Sequence, residues 1–141
     1  MRKFLLGAAL AAATFATPAL ATPTVELDTL IPGSEVRRSI SFGDEMRADV
    51  IKLNPNGTVT GNFEITRSGL KYGGVEHRQG QIVGTWTVER GSLCIQGRGL
   101  EYAHKSCYRI TKKHGSRHEY AATDTRTGDI WQMFIYSSNV L

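Results

Sequence analysis

From residue 35 onward the chain alternates apolar and polar positions in short runs broken by glycine and turn residues. That period of two predicts strands. The candidates are 35–42, 47–53, 58–66, 81–88, 92–96, 105–112, 117–123 and 129–137. Only 28–34 reads as a turn of helix, and 67–80 reads as a glycine-rich loop. Asn54-Pro55-Asn56-Gly57 is the clearest hairpin turn, because Pro presets φ and Gly supplies positive φ. Tight turns are also expected at Arg90-Gly91, at 114–116 and at 125–128.

Choosing those turns fixes a register, and a one-residue slip would reverse every side chain. A two-residue turn at Arg90-Gly91 sets Trp86 opposite Ile95 and Val88 opposite Leu93. Placing Cys94 opposite Cys107 brings Leu93 against Tyr108. A three-residue turn at 114–116 then sets Ile110 against Tyr120 and Tyr108 against Ala122. The turn at 125–128 adds Trp131, Met133 and Ile135 to the same face. In the first hairpin, Leu53 opposite Val59 gathers Ile51, Leu53, Val59, Phe63 and Ile65. One set of turns thus places nearly every large apolar residue on one face. Eight antiparallel strands in a meander would leave two edges exposed, and closure removes them. The expected fold is all-β, a small up-and-down barrel, with an open β-sandwich as the alternative.

The N-terminus changes where this fold is expected to work. Arg2 and Lys3 precede an apolar run from Phe4 to Phe15, and Pro18 and Ala19-Leu20-Ala21 follow. This is the pattern of a cleavable signal peptide over residues 1–21, too short for the roughly 20 residues of a membrane span. Residues 22–141 are then a single domain, periplasmic or secreted, with no transmembrane segment. Removing Arg2 and Lys3 from 17 Lys and Arg leaves 15 against 13 Asp and Glu, a net charge of +2. That balance argues against nucleic acid as a partner. The only cysteines, Cys94 and Cys107, are expected to pair as a disulfide in an oxidising compartment. It would close a loop of about 14 residues and contribute on the order of 3 kcal/mol.

The segments Leu53-x-Pro55-Asn56-Gly57-Thr58-Val59, Gly84-Thr85-Trp86-x-Val88, Leu93-Cys94 and Cys107-Tyr108-Arg109-Ile110 follow one another in a recognisable order. In this the chain resembles small exported proteobacterial proteins of unknown function, related in outline to lipocalin-like and avidin-like meander barrels. The resemblance covers about residues 28–139 and implies a barrel and an exported address. Asn56 stands where the pattern usually has Asp. No biotin-contacting position of the avidin-like chains can be matched here, so none is carried over.

No catalytic constellation emerges, and no cofactor is implied. Glu64, Glu76, Glu89, Glu101 and Glu119 are scattered, and His77, His104, His114 and His118 read as surface residues without the convergence a metal needs. Two binding surfaces remain. Phe63, Trp86, Tyr108, Tyr120 and Trp131 could line a pocket for a small apolar or amphipathic ligand, since an eight-stranded barrel is wide enough for one. Lys105, Arg109, Lys113 and Arg117 share the outward parity and form a basic face for an anionic envelope component.

Overall fold

The computed structural model describes residues 25–69 and 73–138; the expected signal peptide lies outside them. A helical turn α1 (Leu27–Leu30) precedes β1 (Ser34–Phe42), β2 (Glu45–Leu53), β3 (Thr58–Gly69) and β4 (Gly74–Glu89). Then come β5 (Ser92–Arg98), β6 (Ser106–Lys112), β7 (Glu119–Asp124) and β8 (Ile130–Tyr136). Each strand pairs antiparallel with its neighbour, and β1 pairs with β8, so the sheet is a closed eight-stranded barrel and not an open sandwich.

Alternation decides what fills it. The inward positions include Val36 and Ile40 on β1, Ile51 and Leu53 on β2, Ile82 on β4, and Leu93 and Ile95 on β5. Tyr108 and Ile110, Tyr120 and Ala122, and Trp131, Met133 and Ile135 complete the wall. Trp86 pairs with Ile95, Val88 with Leu93, Leu93 with Tyr108 and Leu53 with Val59, as the turn chemistry predicts. Arg90 and Gly91 both take positive φ, the hallmark of a two-residue type I′ hairpin. Cys94 and Cys107 face each other across β5 and β6 and are bonded, on the sheet face opposite to Tyr108.

Two sequence expectations are corrected. The turn after β6 is wider than three residues: Lys113 N–H donates to the Glu119 carbonyl, so Ile110 meets Ala122 and Tyr108 meets Asp124. This is a slip of two residues, which leaves every side chain on its expected face. The hydrophobic pattern could not detect it for that reason. Residues 67–69 and 74–80 are not loop. They are strand, because β3 and β4 continue pairing through Ser68 and Val75 to Gly69 and Gly74.

The two barrel ends differ in their covers. The end where β1 starts is closed by α1, whose Leu27 is buried with the following Ile31. There Gly33 N–H bonds the Leu53 carbonyl, Ser34 Oγ donates to the Ile31 carbonyl, and the Trp86 indole donates to the Asn54 carbonyl at 2.8 Å. The opposite end, the mouth, holds the β1–β2, β3–β4, β5–β6 and β7–β8 connections. Residues 99–105 lie across it, held by an Arg47 guanidinium bond to the Gly99 carbonyl.

Candidate functional site

The same alternation that points Val36 and Ile40 inward also points Arg38 inward. On β2 it does the same for Arg47 and Asp49 beside Ile51 and Leu53. Arg38 and Asp49 are direct cross-strand partners. Arg38 Nε donates to one Asp49 oxygen at 2.8 Å, and Arg47 Nε donates to the other at 2.9 Å. All three are buried, with Asp49 only 1% exposed. One carboxylate therefore sits between two guanidinium groups inside the barrel wall.

Aromatic rings complete the surroundings. The Arg38 guanidinium lies 4.4 Å from the Trp131 ring centre and 5.4 Å from that of Tyr108, while Arg47 lies 4.8 Å from that of Phe63. Phe63 in turn lies against Gly80, where an added Cβ would come within 2.6 Å of the ring. Cation–π contact of this kind is strongest when desolvated. Burial alone would lower the pKa of Arg38. Its charge and hydrogen-bond interactions with Tyr108 and Asp49 outweigh that and leave it raised, so the cation is permanent.

Hydrogen bonding here is incomplete. Among the described residues, three buried polar side-chain atoms have no protein partner: Arg38 Nη1, Trp131 Nε1 and Glu101 Oε2. Buried donors and acceptors are nearly always satisfied, and these three atoms depart from that rule. Glu101 stands in the cover segment. Burial is the main cause raising its pKa, opposed by Arg38, a bond from Tyr102 and Arg47. Tyr102 also receives Arg126, 4.9 Å from its ring centre, which ties the cover to the β7–β8 turn. That turn is organised by buried Asp124, whose Oδ1 accepts from the Arg126 and Thr127 N–H groups.

Beside the cover the outer surface is grooved. β4 pairs with β5 only from Val83 and Arg98 downward. At that seam Val83, Gln96–Leu100 and Ala103 border a groove of about 480 Å³. A second groove of similar volume runs across the outside of β6–β8, and neither groove is lined by Arg38 or Arg47.

The aromatic residues singled out from sequence divide between the ends. Phe63, Tyr108 and Trp131 gather around the arginines. Trp86 belongs to the closed end through Asn54, and Tyr120 packs in the core beside Met133. Trp131 is fully buried and Tyr108 and Tyr120 nearly so, which leaves Phe63 and Trp86 as the half-buried members. On the outer hairpin, Lys105 pairs with Glu89 and Lys113 with Glu119, while Arg109 and Arg117 are exposed. Carboxylates thus interleave the basic face. Its potential is patchy, because Glu89 and Glu119 are held below the usual carboxylate range chiefly by hydrogen bonds from those lysines.

His77 meets Glu64, His104 stacks on Tyr102, and His118 packs on Tyr136, so the three lie apart. Glu89, Cys94 and Cys107 have ligand atoms within 4.8 Å of one another, but the disulfide occupies both sulfurs. Among the described residues no helix is long and apolar enough to cross a membrane.

Sequence reasoning missed Arg38, Arg47, Asp49 and Glu101 as a group. The signal was available for the first three. Arg47 and Asp49 share parity with Ile51 and Leu53, already assigned inward, Arg38 shares it with the apolar Val36 and Ile40, and a charge at an inward position is informative where an apolar residue is not. In comparisons with known proteins, the chain matches no family model and no curated relative.

Proposed function

We propose that the protein is an exported binding module, periplasmic or secreted, that holds a small amphipathic ligand at the barrel mouth. The observation that carries this reading is the buried Arg38 guanidinium, stacked on Trp131, with Nη1 and the Trp131 indole N–H both lacking acceptors. A ligand with a carboxylate-like head supplies the acceptor. Its apolar body lies against Phe63 and the half-buried wall of the mouth. The ligand head and the Glu101 carboxylate compete for the same arginines, so binding displaces the 99–105 cover. The core below Trp131 is filled by side chains, which confines the ligand to the mouth.

The test has two parts. Native mass spectrometry of protein purified from its own host is expected to show a bound small molecule. Titration with octanoate, followed by tryptophan fluorescence, is expected to show saturable binding that octanol does not reproduce. Trp131→Phe keeps the ring and removes one donor, and Arg38→Met removes the charge. Each is expected to weaken octanoate about tenfold or more, as loss of a charge-assisted or buried hydrogen bond does. No co-purifying molecule together with no octanoate binding would end this reading.

A further inference from the structure

The barrel is closed, yet one stretch of strand has a neighbour on one side only. β4 runs for 16 residues and β5 for 7, and their pairing covers only Val83 to Glu89 of β4. Gly74–Gly80 pairs with β3 on one side alone. Among the described residues no other backbone bonds to it, and all of it but Gly80 is exposed.

The hairpin turn fixes which groups this edge presents. In a two-residue hairpin the residues flanking the turn, Glu89 and Ser92, exchange hydrogen bonds, and bonding residues then recur at every second position. Odd-numbered residues of β4 therefore aim their N–H and C=O toward the β5 side. The Trp86 N–H, at an even position, bonds the Gly57 carbonyl on the other side, as this parity requires. Continued upward, Val75, His77 and Gln79 aim their backbone groups out of the open edge.

Side chains here are self-complementary. Set antiparallel to a second copy with His77 opposite His77, the segment places Val75 opposite Gln79 and Glu76 opposite Arg78. The pairs at 75–79 and 77–77 are the hydrogen-bonded ones. The 76–78 pairs are then of the non-hydrogen-bonded kind, whose side chains approach most closely. Glu76 of each copy meets Arg78 of the other, twice, by the two-fold axis. An unprotected edge of this kind pairs with another strand unless something blocks it, and no proline or bulge interrupts these seven residues.

We propose that the open β4 edge, Gly74–Gly80, joins two copies of this chain into an antiparallel two-fold dimer across His77, locked by reciprocal Glu76–Arg78 pairs. The two strands would continue one sheet from barrel to barrel, leaving each mouth its own groove.

Sedimentation of the mature protein across concentration tests this. A monomer–dimer equilibrium is expected. Glu76→Arg and Arg78→Glu each set like charges opposite one another at two places and are expected to weaken the dimer about tenfold. The double variant E76R/R78E restores the pairing and the wild-type constant. His77→Pro removes an N–H that points out of the edge and leaves the β3 ladder intact, so the barrel stays folded and the dimer is lost. A wild-type monomer at every concentration overturns the proposal. So does a dimer that survives His77→Pro, or a double variant no better than the singles. A monomer whose edge instead captures a strand from a different protein also overturns it.

Discussion

The two ends of the barrel are built from the same strands by the same alternation, yet their interiors differ. At the closed end, inward positions carry Val36, Leu53, Val59 and Leu93, all fully buried, and α1 seals them with Leu27 and Ile31. The polar atoms there find partners: Ser34 at Ile31, Trp86 at Asn54. At the mouth, inward positions carry Arg38, Arg47 and Asp49, and three buried polar atoms have no partner. A small barrel needs one well-filled end to hold its shape. The other end can then carry charges that contribute little to stability, because desolvation offsets most of their attraction.

The sharpest way to break this contrast is Asp49→Ala. It leaves two buried guanidinium groups without a counter-charge, and a loss of about 4 kcal/mol in urea unfolding is expected. Replacing Arg38, Arg47 and Asp49 together by apolar residues of similar volume is expected to cost far less, and to abolish octanoate binding. If Asp49→Ala alone is neutral, the triad is not the buried ionic unit that its geometry describes.

At the closed end, Ile31→Ala opens a cavity beneath α1. It is expected to cost about 3 kcal/mol while leaving the octanoate constant unchanged, since nothing charged is disturbed. An effect on binding as large as that of Arg38→Met would join the two ends functionally and dissolve the distinction.

The smallest effect is a pH dependence. Burial raises the pKa of Glu101, so the folded protein holds that proton to higher pH than the unfolded chain. Below the unfolded carboxyl value of about 4.3 the group carries no penalty, and stability falls as pH rises through the raised folded value. Glu101→Gln lacks that titration. Its melting temperature is therefore expected to gain on the wild type from pH 4 toward neutrality, whereas parallel curves would show that Glu101 ionises as freely as in the unfolded chain.

Much of the fold was legible because strand parity and turn chemistry are local. Arg90-Gly91 and Asn54–Gly57 fixed two hairpins, and the pairing of Cys94 with Cys107 agreed with the register that gathered Trp86, Tyr108 and Trp131 on one face. The strand residues at 67–69 and 74–80 were not legible. Glycines at 69, 73, 74 and 80 read as loop, while pairing with β3 overrides that weak local preference. The basic hairpin face was legible as four cations, but their neutralising partners Glu89 and Glu119 come from cross-strand neighbours that linear spacing does not reveal.

The sequence by itself determined the all-β meander, the inward face and the cysteine pair, because each follows from a period of two and from turns that only certain residues can make. Tertiary structure alone decided three things. Closure through β1 and β8 joined strands almost a hundred residues apart. The meeting of Arg38, Asp49, Trp131 and Glu101 depended on that closure, which brings β1 beside β8 and lays the 99–105 segment over both. The bare edge of β4 arose from two strand lengths that do not match. All three depend on distances through space, and a chain read in order has none.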